Sequence, residues 1–154
     1  MGPATNTVTT AFNVACAGTT CLAMAGSQQS DESLGATWQA RTRTWSATPG
    51  FTCPNAGSRC SLAYFVGSMS CASATSCMVF ATVPPEDGPA LWNGTTWTFT
   101  QSIAQGPHSL LAAISCHATM CLAAGYHSTN RHRRTLAELW NGTTWVLVPT
   151  PNLT

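Results

Sequence analysis

The residues able to do chemistry begin with eight cysteines, which fall into four close pairs: Cys16 with Cys21, Cys53 with Cys60, Cys71 with Cys77, and Cys116 with Cys121. Spacings this short suit local disulfide staples. Closing such a loop stabilises a fold by roughly 2 kcal/mol in the chain-entropy picture, so four staples weigh heavily against a net stability of about 5–15 kcal/mol. Disulfides persist in oxidising compartments, and a secreted or cell-surface protein is therefore expected. Zinc is the rival use of paired cysteines. No Cys-x-x-Cys occurs, and His117 falls inside a turn instead of at ligand spacing, so no metal is expected.

Acid–base chemistry has little to work with. The carboxylates are Asp31, Glu32, Glu86, Asp87 and Glu138. The first four are adjacent pairs in SDES and PED, which read as solvated loop charge and not as paired catalytic acids. Glu138 stands apart, on a strand beside Trp145, as either a cross-strand partner or an acceptor for sugar hydroxyls. No G-x-S-x-G elbow, phosphate-binding loop or H-E-x-x-H is present. The expectation is a protein that is not an enzyme and carries no cofactor. One charge cluster remains, HSTNRHRR at 127–134, with Arg131, Arg133 and Arg134. A charge run is ordinarily a solvated loop. The equivalent stretches SQQSDES and TVPPEDG are acidic, however, and opposite charges at equivalent positions can order subunits or repeats, which makes these arginines the candidate partner contact. His127 and His132, five apart in a loop, are a weak basis for a metal site.

What must position these groups is a unit that occurs three times: a cysteine pair, a variable loop, then a tryptophan pair around a turn. The string LWNGTTW recurs letter for letter at 91–97 and 139–145, whereas Trp38 and Trp45 of the first copy stand seven apart. Trp45 to Trp97 is 52 residues and Trp97 to Trp145 is 48, a period that belongs to propellers, solenoids or three-fold barrels. The copies cover approximately 7–50, 61–102 and 108–151 of a single 1–154 domain, with a Cys-stapled connection at 51–60. In each copy the first cysteine ends an apolar run and the second begins another, which reads as a hairpin stapled across its turn; in the last copy the strands are Leu110 to Cys116 and Cys121 to His127. SLLAAISCHATMCLAAG contains good helix formers, but its counterpart YFVGSMSCASATSCMVFATV is rich in Ser, Gly, β-branched and aromatic residues, and both copies must share one structure. WNGTTW is the second hairpin. If Asn141 and Gly142 form a type I′ turn, Trp140 faces Thr143 and Glu138 faces Trp145; if the loop is the four residues NGTT, the tryptophans face each other. Both registers place two large rings on one face, to fill the space between sheets or, as Trp97 and Trp145, to stack on a ligand.

Composition narrows the function further. Only 7% of the 154 residues are charged, lysine is absent and the net charge is +1, so neither nucleic acid nor an anionic membrane has an electrostatic footprint to bind. A surface built from Ser, Thr, Asn and Gln suits an all-β protein better than a helical bundle with charged faces. Residues 1–12, MGPATNTVTTAF, lack the basic and apolar regions of an export signal, which is expected to have been removed or replaced. No apolar stretch is long enough to span a bilayer, so membrane insertion is not expected.

The combination SCASATSC, an apolar strand, and LAELWNGTTWVLVPTPN closely resembles the tandem unit of secreted bacterial β-propeller-like repeat proteins, over nearly the whole chain and most strongly at 70–98 and 115–152. The resemblance implies four-stranded antiparallel blades and says little about activity. The first copy departs from the unit in its tryptophan hairpin, and 51–59 is an insertion between copies. NGTTW also resembles the Asp-box of sialidase-type propellers, but without its Asp or spacing, so it brings no glycosidase chemistry. Three blades do not close a ring, since propellers use about four or more. Closure by self-association, membership of a longer array, or a β-trefoil of the same length would each answer this. The propeller-like reading ranks first because the resemblance is to the unit itself. The functional expectation is a non-enzymatic secreted binding or structural module that self-associates into a ring or filament. The alternative is a lectin, for a glycan or cell-surface partner, with sites between blades. A glycosidase-like enzyme ranks last because it needs an acid pair.

Overall fold

The computed structural model describes residues 9–27, 33–50, 66–81, 88–103, 108–129 and 132–151, and these form three four-stranded antiparallel sheets. Blade 1 comprises β1 (Thr9–Ala17), β2 (Thr20–Ser27), β3 (Ser33–Gln39) and β4 (Thr44–Thr48). Blade 2 comprises β5 (Val66–Ser73), β6 (Ser76–Ala81), β7 (Gly88–Trp92) and β8 (Trp97–Phe99). Blade 3 comprises β9 (Ser109–His117), β10 (Met120–Thr129), β11 (His132–Trp140) and β12 (Trp145–Val148). Every blade is a meander in chain order. No sheet borrows a strand from another repeat, and β5 lies against both β1 and β9, which is the arrangement of propeller-like blades and not of a trefoil barrel. The helical option for 109–125 is absent. The connection at 51–60, with Cys53 and Cys60, lies outside the described residues.

The cysteine hairpins form as their spacing predicts. Cys16 faces Cys21, Cys71 faces Cys77 and Cys116 faces Cys121 in the strand register, each pair joined by a disulfide. The tight turns of blades 1 and 3 need one left-handed residue: Gly18 supplies it at φ 59°, and Ala118, its counterpart, is held at φ 52°.

The tryptophan hairpins take the four-residue loop, not the type I′ turn. Trp92 faces Trp97 and Trp140 faces Trp145. The reason lies in the asparagine side chain. Asn141 Oδ1 accepts from the Thr143 and Thr144 amides at 3.0 and 2.9 Å, and Asn93 Oδ1 does the same for Thr95 and Thr96 at 2.9 Å each. This side-chain-to-backbone capping makes a positive φ at asparagine unnecessary, and only Gly94 and Gly142 take it up. The drifted first copy turns differently: it has no asparagine in the loop, Arg43 takes the positive φ at 55° with its amide on the Gln39 carbonyl, and its two extra residues add one rung, Gln39 opposite Thr44, while Trp38 still faces Trp45.

Burial follows from each blade's place in the row. Blade 2 is covered on both faces, and Cys77, Met78, Val79 and Phe80 of β6 are all buried in succession. Blade 3 is covered on one face alone, so β10 alternates: Cys121 and Ala123 buried, Leu122 and Ala124 exposed. The apolar run and the alternating run are the same strand in two environments. Two cores result. One packs Leu22 and Met24 of blade 1 against Met69, Cys77, Val79, Ala90 and Trp92 of blade 2; the other packs Met78 and Phe80 of blade 2 against Ile114, Cys121, Ala123, Trp140 and Trp145 of blade 3.

Candidate functional site

Each junction between blades is built the same way, and this sets the direction of the row. The second strand of one blade offers two large aliphatic or aromatic side chains, here called its trailing face. The next blade offers its cysteine staple and its tryptophan pair, its leading face. At the second junction the Phe80 and Trp145 rings lie 6.0 Å apart and tilted, and Trp145 in turn packs on Trp140 at 5.7 Å. The inner strands add polar joints: Ser68 Oγ accepts from the Ile114 amide at 3.2 Å and Ser70 Oγ from the Cys116 amide at 2.9 Å. These serines satisfy amides on the free edge of β9 that would otherwise need water or another strand.

The sequence-derived ligand candidates sit inside these junctions. Trp145 is 3% exposed, with its indole N–H donating to Thr100 Oγ1 at 3.0 Å. Trp97 is half-buried beside Trp92, at 5.3 Å between ring centroids. Glu138 is fully buried, its Oε2 accepting from Ser102 Oγ at 2.9 Å and from the Ile103 amide at 3.2 Å. It sits in the β11–β12 register opposite Leu147, with Trp145 opposite Trp140 instead. The carboxylate thus joins the segment leaving blade 2 to blade 3, a role that neither its strand position nor its neighbours in sequence signalled.

The arginine cluster is a strand pair and not a loose loop. β10 and β11 continue outward until Thr129 faces His132, so Arg133 lies opposite Ser128 and Arg134 opposite His127. The Arg133 guanidinium stacks on the Tyr126 ring, 4.3 Å from its centroid, and His127 Nδ1 is hydrogen-bonded to Ser109 Oγ at 2.7 Å. Arg131 lies outside the described residues. Elsewhere on blade 3, a depression lined by Thr135, Leu136, Ala137, Leu147, Val148, Pro149 and Thr150 holds no titratable side chain.

No protein-family model matches the chain, and no curated protein matches it. Among solved structures it is similar to a GH32 β-fructofuranosidase of Bombyx mori in complex with sucrose, at 11% identity and a TM-score of 0.46, covering 88% of this chain and 33% of that one. The chain spans about a third of the length of that enzyme.

Sequence reasoning expected three blades to leave the ring open, but did not say which residues line the two ends. No described blade precedes blade 1, and its leading face is bare: Trp45 is 55% exposed, Trp38 half-buried, Val14 exposed and the Cys16–Cys21 staple accessible. Blade 3 has no described blade after it, and its trailing face is bare too, with Leu122 at 49% and Val146 at 40% exposure beside Ala124 and Leu139. The signal was available in the repeat. Leu122 occupies the position of Met78, and Trp45 the position of Trp97 and Trp145, so identical roles in sequence meet unequal burial once the row ends.

Proposed function

We propose that this protein is a non-enzymatic, secreted structural or binding module whose propeller-like blades self-associate. The observation that carries this reading is the exposure, at the two ends of one row, of the same two kinds of face that are mated at each junction within it. Contiguous exposed apolar surface of this kind marks an interaction site in a soluble protein. The Cys16–Cys21, Cys71–Cys77 and Cys116–Cys121 disulfides support an oxidising, extracellular setting. The resemblance of the repeat to secreted bacterial propeller-like proteins points the same way. A glycan-binding reading through Trp97, Trp145 and Glu138 has weaker support, because Trp145 and Glu138 are buried at a junction.

The test is native mass by light scattering of the oxidised chain over a range of concentrations. Self-association predicts mass rising with concentration to a discrete ring or a growing filament. A monomer at every concentration removes the reading.

A further inference from the structure

We infer that the partner is a second copy of this chain, joined head to tail, with the leading face of blade 1 seated on the trailing face of blade 3 of its neighbour. This rests on the self-association reading and adds its direction and its contacts. The first support is that the chain already makes this junction twice. Leu22 and Met24 meet Trp92 at the first, and Met78 and Phe80 meet Trp140 and Trp145 at the second. In a third junction, Leu122 and Ala124 would take the place of Met78 and Phe80, and Val146 would flank them from β12. Trp38 and Trp45 would take the place of Trp140 and Trp145. Their rings are already preset, 5.4 Å apart and tilted at 48°, as the Trp140–Trp145 rings are at 5.7 Å and 48°. The exposed pair therefore has the geometry of a buried one without the blade that would bury it.

One polar joint of the second junction can form again, although the first junction lacks it, with Ala15 in the place of Ser70. Ser70 Oγ accepts the Cys116 amide across the second junction. Ser115 is the counterpart of Ser70 and is exposed on β9; Cys16 is the counterpart of Cys116 and is exposed on β1. A head-to-tail contact brings the Ser115 hydroxyl to the Cys16 amide. Where Ser68 serves the Ile114 amide, the counterpart on β9 is Ala113, so the new joint keeps one of the two serine contacts. An isologous contact, by contrast, would set Trp45 against Trp45 or Leu122 against Leu122, a pairing found at neither internal junction.

A heterologous interface closes into a ring or propagates as a filament, and complementary blocked variants separate it from an isologous one. Trp45→Glu blocks the head and Leu122→Glu blocks the tail; both sites are exposed, so at dilutions where the wild type is monomeric each oxidised variant is expected to keep a cooperative thermal transition near the wild type's, which confirms its fold. With wild type assembling, each variant alone is expected to be monomeric by light scattering, and an equimolar mixture is expected to form a two-chain species through its one intact head and one intact tail. If the wild type assembles but one variant alone still forms dimers, or if the mixture stays monomeric, the head-to-tail joint is overturned while self-association stands. If the wild type is itself monomeric, self-association falls, and this inference falls with it.

Discussion

Glu138 Oε2 accepts a hydrogen bond from Ser102 Oγ at 2.9 Å, and both residues are buried between blades 2 and 3. The same oxygen takes the Ile103 amide at 3.2 Å, so one carboxylate fixes the exit of blade 2 against the third strand of blade 3. Neither Ala90 nor Ala36, its counterparts in the other blades, can make this link. Removing the acceptor leaves the buried Ser102 hydroxyl and the Ile103 amide without this partner. Glu138→Ala is expected to lower stability by about 2–4 kcal/mol in urea unfolding, because hydrogen bonds to a charged group contribute about 1.5–3 kcal/mol each and a buried unsatisfied donor adds its desolvation cost. A loss below about 0.5 kcal/mol would show the carboxylate to be dispensable.

The tryptophans at equivalent positions should not be equivalent in energy. Trp145 is 3% exposed and packed on Phe80, whereas Trp45 is 55% exposed. Trp145→Ala is expected to cost about 3–5 kcal/mol, as for other large aromatic truncations in a core. For Trp45→Ala in the monomer the expectation is under about 1 kcal/mol, since most of the ring is already in water. Thermal or denaturant melts of the two variants at low protein concentration decide it, and equal losses would contradict the assigned burial.

The cysteine-hairpin turns allow a reciprocal exchange. Ala118 sits at φ 52° where Gly18 sits at φ 59°, and a Cβ added at Gly18 would meet no atom within 4 Å. Backbone conformation is then the main difference between the two residues. Ala118→Gly is expected to raise the melting temperature slightly, and Gly18→Ala to lower stability by about 1 kcal/mol, the left-handed penalty of a residue with a Cβ. A rise for Ala118→Gly with a fall for Gly18→Ala is the diagnostic result; the reverse pair of signs would mean that unfolded-state entropy outweighs the turn.

Each staple should contribute measurably. Cys116 and Cys121 close a loop of sequence separation 5, and replacing both with serine is expected to cost about 2 kcal/mol. Adding reductant to the wild type should reproduce and exceed that loss, read by unfolding midpoint with and without reductant. Insensitivity to both would mean that the strand pairing holds without the bridges.

Much of this architecture was legible in one copy of the repeat. The cysteine spacing specified a stapled hairpin because a disulfide across so few residues leaves the chain little choice but a tight turn. The paired tryptophans specified a second hairpin with both rings on one face, since side chains alternate along a strand. The hairpin register stayed ambiguous in sequence, because asparagine can serve a turn either by adopting positive φ or by capping with its side chain; the contacts of Asn93 and Asn141 with the following threonine amides choose the latter. Glu138 was visible as a residue but not as a bridge, because its partners Ser102 and Ile103 come from another blade at a sequence distance of 36 and 35.

The sequence by itself determined the local units: which cysteines pair, where the hairpins lie, and that a blade recurs. Local spacing carries that information because hairpin geometry couples near neighbours. Only the tertiary structure decided which faces of those blades are covered, since burial depends on what stands next in the row. Leu122 and Met78 play one part in the repeat, yet Met78 is buried and Leu122 lies 49% exposed, because blade 3 follows the one and no described blade follows the other.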